Sequence, residues 1–126
     1  MKPKQLKSMN LSGEVKKLTI IIGESARVYQ RPLYEVIIYA AKKYKLAGAT
    51  AVKGNMSYGA DNLLQSSKIF AVSDDIPVVI VLVDIYERLF DFAKIVNRIM
   101  DKSGDGGLIF MEDVEVLRYG KINTEG

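Results

Sequence analysis

Val78-Val79-Ile80-Val81-Leu82-Val83 is a run of six aliphatic residues with no polar position in it. Strand side chains alternate between faces, so a run without alternation is apolar on both faces and must be covered from two sides. It is also far too short to span a bilayer, which takes roughly 20 residues as a helix. Upstream, Ser73-Asp74-Asp75-Ile76-Pro77 reads as a turn, and Ile69 to Val72 as the start of a returning strand. Downstream, Asp84 and Glu87 stand at capping-box spacing, with Asp in the Ser/Thr role. Leu89, Phe92, Ala93, Val96, Ile99 and Met100 then follow as the apolar stripe of a helix.

That helix runs into Ser103-Gly104-Asp105-Gly106-Gly107-Leu108-Ile109-Phe110, a glycine hinge feeding an apolar strand. Glycine admits positive φ and close approach of a ligand to bare amides, and successive N–H groups in such a turn form a concave anion site. A plain helix-to-strand turn with Gly104 as the helix stop is the other reading. The strand covers Leu108 to Met111, Glu112-Asp113 reads as a turn, and Val114 to Tyr119 alternates as a final strand carrying Val116, Arg118 and Tyr119.

The chain before the aliphatic run has the same grammar. Leu18, Ile20 and Ile22 alternate with Thr19 and Ile21 as a strand ended by Gly23-Glu24-Ser25. Ala26 to Arg31 reads as a polar connection, and Pro32 suits the first turn of a helix. Leu33, Val36, Ile37, Ala40, Ala41 and Tyr44 form its apolar face, with Gly48 as the expected stop. Ala49 to Lys53 is a short strand. Gly54 to Lys68 is long and irregular, yet it carries Met56, Tyr58, Leu63 and Leu64, a content that suits partner recognition or packing on a neighbouring subunit.

Strand, helix, strand, long loop, strand, helix, strand most simply folds as an α+β ferredoxin-like βαββαβ sandwich, with an antiparallel sheet, two helices on one face and a short C-terminal strand. Residues 1–14 read as a flexible basic arm, 15–120 as the domain and 121–126 as a tail. Helices on one side leave Ile21 and the second face of Val78–Val83 uncovered, so that face is expected to be buried against other subunits.

With 126 residues, 48% hydrophobic and 26% charged, the chain is long enough for one well-buried core. It contains no cysteine and no histidine, which removes disulfides, thiolate chemistry, the usual general base and the usual transition-metal ligands. The net charge of +3 is concentrated at Lys2, Lys4, Lys7, Lys16 and Lys17, so the remainder carries no nucleic-acid footprint. The central strands also lack the aromatics of an RNA-binding sheet. No signal peptide or membrane insertion is expected, and a cytoplasmic protein is the default. Asp74-Asp75 and Glu112-Asp113 read as capping residues of turns rather than a metal site.

Leu18-Thr19-Ile20-Ile21-Ile22-Gly23-Glu24-Ser25, Arg31-Pro32-Leu33-Tyr34-Glu35-Val36-Ile37, Leu46 to Gly54 and Ser73 to Asp84 together resemble the PII-like family catalogued as domain of unknown function 190. The resemblance implies a ferredoxin-like subunit in a homotrimer, without an established activity. The hinge also resembles the loop of nitrogen-regulatory PII proteins that holds ATP phosphates, whose pattern is Gly-Asp-Gly-Lys. Gly104, Asp105 and Gly106 match it, while Gly107 stands in place of the lysine. Arg118 falls on the second of two phosphate-contacting arginines, and Val116 replaces the first. Tyr58-Gly59 matches an aromatic-glycine pair at the start of the signalling loop.

The resemblance therefore implies a non-catalytic trimer sensing a ligand at Gly104, Asp105, Gly106, Gly107, Arg118, Tyr58 and Gly59, with an adenine nucleotide as the cofactor candidate. It implies a transporter, channel or enzyme as partner, met through the 54–68 loop. Arg118 has a second reading, as an ion pair across the subunit boundary. An enzyme using carboxylate, Lys or Tyr chemistry and a ligand-free structural trimer are the alternatives.

Overall fold

The computed structural model describes residues 15–54 and 75–120. The element order is β1 (Val15–Gly23), β2 (Arg27–Val28), β3 (Arg31–Pro32), α1 (Leu33–Tyr44), β4 (Gly48–Lys53), β5 (Pro77–Ile85), α2 (Tyr86–Ser103) and β6 (Gly107–Asp113). Four strands form one antiparallel sheet in the order β4-β5-β1-β6. This is the α+β ferredoxin-like sandwich expected from the sequence. The basic arm, the tail, the 54–68 loop beyond Gly54 and the strand start at Ile69–Val72 lie outside the described residues.

Register explains the core. Leu18, Ile20 and Ile22 pair with Leu82, Ile80 and Val78, and all six are buried under the helices. Leu33, Ile37 and Ala41 from α1, with Leu89, Phe92, Val96 and Met100 from α2, close over them. The other face carries Val79, Val81 and Val83 opposite Ile21, Thr19 and Lys17, flanked by Leu108 and Phe110 on β6 and Val52 on β4. Among the described residues, no helix lies on it. Its centre is closed, with Ile21 only 8% and Thr19 5% exposed, whereas towards its edges Val52 is 57% and Phe110 38% exposed.

The segment between β1 and α1 is not the polar connection expected. Ala26 and Val28 are buried, and β2 and β3 form a miniature hairpin with Arg27 opposite Pro32 and Val28 opposite Arg31. Its two tip residues, Tyr29 and Gln30, have φ of 53° and 61°, the pattern of a type I′ turn usually made by Asn-Gly. Left-handed backbone at non-glycine residues costs about 1–2 kcal/mol each. Anchors outside the tip hold it: Leu33 donates its amide to the Ala26 carbonyl at 2.8 Å, and Arg27 Nη2 donates to the Gln30 carbonyl at 2.9 Å.

The helix ends also depart from local expectation. Lys45, not Gly48, ends α1 in the left-handed conformation at φ 62°, and Gly48 opens β4. The carbonyls released at that end are taken by Arg88, whose Nη2 donates to Tyr44 and Lys45, each at 2.8 Å. Asp84 does not cap α2. The residue before the helix is Ile85, with no side-chain cap, while Asp84 is buried at the end of β5. Its carboxylate accepts the Ala47 amide at 2.9 Å, the Ile85 amide at 2.7 Å and Arg88 Nε at 3.3 Å.

Glu112-Asp113 is strand rather than turn, because β1 offers Lys17 and Lys16 directly opposite, at 3.4 Å and 2.6 Å. Val114 to Tyr119 forms no strand. Its alternation has no partner, since Val114 reaches only the Val15 carbonyl at 3.5 Å. The segment instead crosses the end of the sheet, where Tyr119 Oη donates to the Ala47 carbonyl at 3.0 Å.

Asp84 ties β5, the α1–β4 connection and α2 together. Replacing it with Ala leaves two partly buried amides without an acceptor and is expected to lower unfolding free energy by about 3 kcal/mol. Arg88→Ala, at a half-exposed site, is expected to lose about 1–2 kcal/mol. Urea denaturation checks both, and a loss below about 0.5 kcal/mol for Asp84→Ala contradicts the assignment.

Candidate functional site

Pairing places four chain ends at one rim of the sheet. Gly23 lies opposite Pro77, Lys53 opposite Val78 and Gly107 opposite Ile22. The glycine hinge, the exit at Gly54 and the return at Asp75 therefore share this rim. The turn Gly23-Glu24-Ser25 holds both the exit and the return. Glu24 forms a 2.8 Å ion pair with Lys53, and its amide donates to the Ile76 carbonyl at 2.8 Å. Asp75 accepts the Ser25 amide at 3.0 Å, Ser25 Oγ at 2.5 Å and its neighbour Ile76 at 2.9 Å. Gly54 donates to the Pro77 carbonyl at 2.7 Å.

Glu24 holds the Lys53 ammonium above its ordinary value of 10.5, helped by the Tyr34 hydroxyl; the ring of Tyr34 lies 5.3 Å from the cation. A raised basic group stabilises the fold fully below its unfolded value and loses that effect as pH climbs through the folded one. This clasp is therefore constant across neutral pH.

In the hinge, Gly104 ends α2 at φ 79° and returns its amide to the Met100 carbonyl at 3.0 Å. Asp105 accepts Ser103 Oγ at 2.9 Å. Neither Asp105 nor Gly106 donates its amide to another backbone group among the described residues. Bare amides are what an anion nest needs, but the electrostatics oppose them. The hinge sits at the C-terminal end of an 18-residue helix, the negative pole, and adds the Asp105 carboxylate.

Packing explains why no lysine offsets that charge. A Cβ at Gly107 would lie 2.9 Å from the Ile21 carbonyl and 2.6 Å from Met100 Cε, so β6 meets β1 too closely for a side chain.

Arg118 is not on a strand. It is exposed, forms no ion pair with the described residues, and lies beside Tyr119 at the opposite rim. The seven residues of β6 separate it from the hinge, about 20 Å of strand. One chain therefore brings Gly104, Asp105, Gly106 and Gly107 together but not Arg118. Tyr58, Gly59, Met56, Leu63 and Leu64 lie outside the described residues. Sequence reasoning missed the Glu24–Lys53 and Ser25–Asp75 clasps. The paired acids at 74–75 were visible, but Ser25, the partner of Asp75, lies 50 residues away, and Asp74 lies outside the described residues.

The family model for DUF190, described as Uncharacterized ACR, matches residues 15–116. A UPF0166 protein of Aquifex aeolicus is 30% identical over 102 residues, covering 81% of this chain and 92% of the relative. Another, from Methanocaldococcus jannaschii, is 28% identical over 105 residues, covering 83% and 94%. Among solved structures, CPII from Thiomonas intermedia K12, a nitrogen regulatory PII-like protein bound to ADP, AMP and bicarbonate, aligns with a TM-score of 0.53 at 20% identity, covering 82% of this chain and 91% of that one. CPII bound to ADP and bicarbonate aligns at 0.52 with 20% identity, covering 82% and 89%. At that identity the likeness establishes the PII-like fold.

The three hinge glycines separate by mechanism. Gly107→Ala is expected to lose about 1–3 kcal/mol through overpacking. Gly104→Ala should lose about 1 kcal/mol through its positive φ. Gly106→Ala, with open space and an ordinary φ, should be near neutral. Chemical denaturation of the three variants checks the order, and equal losses contradict it.

Proposed function

This chain belongs to the DUF190 family, and from that premise we propose that it is a non-catalytic homotrimeric regulator that senses a small anionic ligand at the seams between its subunits. The observation that carries the reading is the second sheet face. Val52, Val79, Ile21 and Leu108 form one row across all four strands, and Val81, Thr19 and Phe110 continue the apolar surface beside it. An apolar face of this extent, with no described helix on it, reads as an interface. Copies of the same chain supply matching faces and close the assembly. Among the described residues no helix is long and apolar enough to cross a membrane.

The structural neighbour CPII was captured with ADP, AMP and bicarbonate. That supports an adenine nucleotide, or a small anion, as the ligand class. The chain lacks two cations of the PII pattern, at Gly107 in the hinge and at Val116 beyond β6, each charge-assisted contact being worth about 1.5–3 kcal/mol. Losing both weakens a triphosphate complex about a hundredfold or more, and Asp105 with the helix pole adds to the penalty. The reading is therefore a mono- or diphosphate rather than ATP, met by the amides of Asp105 and Gly106. Arg118 enters such a site only from a neighbouring subunit. Met56, Tyr58, Leu63 and Leu64 are the surface offered to a transporter, channel or enzyme.

Light scattering should give three times the 14.0 kDa chain mass, and Phe110→Glu, at the exposed edge of the face, should shift the population to the single chain. A wild-type monomer at micromolar concentration ends the proposal. Thermal shift should rank AMP and ADP above ATP. Silence toward all three and toward bicarbonate removes the ligand half while leaving the assembly intact.

A further inference from the structure

The β2–β3 hairpin belongs to none of the machinery above. Its buried residue, Val28, is part of the helix-side core, and both strands pack against the helices. It therefore lies on the layer opposite the open sheet face and stays accessible when that face is covered. Its base is fixed by Ala26 and Val28 in the core and by the Leu33–Ala26 hydrogen bond. What it displays is Arg27, Tyr29, Gln30 and Arg31, all exposed, with Tyr29 at 62%.

Two features distinguish this tip from an ordinary solvated turn. The first is conformational: an aromatic and a glutamine occupy left-handed positions that Asn-Gly would fill without strain. Nothing in the core requires either side chain. Strain held at an exposed position by rigid anchors is characteristic of recognition elements. The second is charge. Lys16, Lys17, Lys53, Arg88 and Lys94 each meet a carboxylate of this chain. Arg27 and Arg31 meet none among the described residues, a condition they share with Lys42, Lys43, Lys45, Arg98, Lys102 and Arg118; what sets the tip apart is that its two guanidiniums flank an exposed tyrosine, and Arg27 spends one N–H on the turn itself.

Between Arg27 and Leu33 there is no acidic residue, so the tip carries an uncompensated charge of two guanidiniums around an exposed tyrosine. Arginine binds carboxylates through paired N–H donors, and arginine and tyrosine dominate the energetic centres of protein interfaces.

We infer that the hairpin tip Arg27–Arg31 is a docking element for an acidic, carboxylate-bearing segment of a partner protein, independent of the ligand sensed at the hinge rim. A single exposed tyrosine gives no stacking platform for successive bases, which disfavours a nucleic acid as the occupant.

Fluorescence anisotropy of a labelled Glu-rich peptide against the full chain tests this, with an oligouridylate of equal charge as the second probe. The peptide should bind, and Arg31→Ala should weaken it about tenfold, the effect of one charge-assisted contact. The double variant Tyr29→Asn/Gln30→Gly should unfold at the same or a higher temperature, because the turn is relieved, yet bind the peptide more weakly. The arm variant Lys2→Ala/Lys4→Ala/Lys7→Ala should bind as wild type.

No peptide binding, or wild-type binding by both hairpin variants, overturns the inference. So does an equal loss in the arm variant, or oligouridylate binding with the same strength and the same dependence on Arg31.

Discussion

Everything in this molecule hangs on the pairing of β1 with β5. Nine consecutive residue pairs, from Val15↔Ile85 to Gly23↔Pro77, form the longest ladder in the sheet. It is central, with β4 and β6 added on either side. Leu18, Ile20 and Ile22 against Leu82, Ile80 and Val78 give the helices something to cover. The residues between them give the opposite face its character. A single ladder therefore builds the core of the protomer and leaves an apolar surface over. Aliphatic residues alone do not fix register, because sliding by two positions keeps apolar against apolar.

Polar groups at the two rims supply what the aliphatic centre lacks. At one rim Asp84 gathers Ala47, Ile85 and Arg88, and Arg88 carries the connection on to the end of α1. At the other, Glu24 and Ser25 grip Lys53 and Asp75 on either side of the segment that leaves the described sheet. A slip of β5 by two residues would pull Asp84 from the Ala47 amide, Arg88 from the end of α1, and Asp75 from Ser25. The rims thus select among registers that hydrophobic burial alone would leave nearly degenerate, and they fix where the chain leaves and re-enters the sheet. The clasp rim holds the glycine hinge; the Asp84 rim holds Tyr119 and Arg118.

Periodicity was enough to find β1, α1, β5 and α2, because each buries a continuous stripe or strand face whose spacing is written locally. The parts that escaped are those decided by a distant partner. Lys45 takes a left-handed end that favours glycine because Arg88, 43 residues on, takes the carbonyl beside it. Asp84 has the spacing of a helix cap, but a buried amide at Ala47 competes for it and wins. Val114 to Tyr119 alternates like a strand, yet β1 has no residue left to pair with it among those described. The hairpin at Arg27–Pro32 has strands of two residues, too short for any period, and a turn sequence that local preference argues against. Of the candidate site, the glycines were legible as a hinge. Their separation from Arg118 was not, since sequence order does not say which rim a residue ends on.

The glycine at 107 joins shape to charge. A lysine at this position would answer the negative pole of the preceding helix and the acid beside it. Here β6 begins so close to β1 that the Ile21 carbonyl and the Met100 methyl fill the place of a Cβ. Restoring the lysine would mean moving β6 outward, which would open the ladder from Ile22↔Gly107 onward and strip cover from Ile22 and Ile109. The tight edge of the sheet and a cationic hinge are thus mutually exclusive in this chain. With the cation absent, Asp105 faces the rim together with two amides. On the proposed reading, that balance of charge disfavours highly charged anions, and any relief has to come from groups outside the hinge.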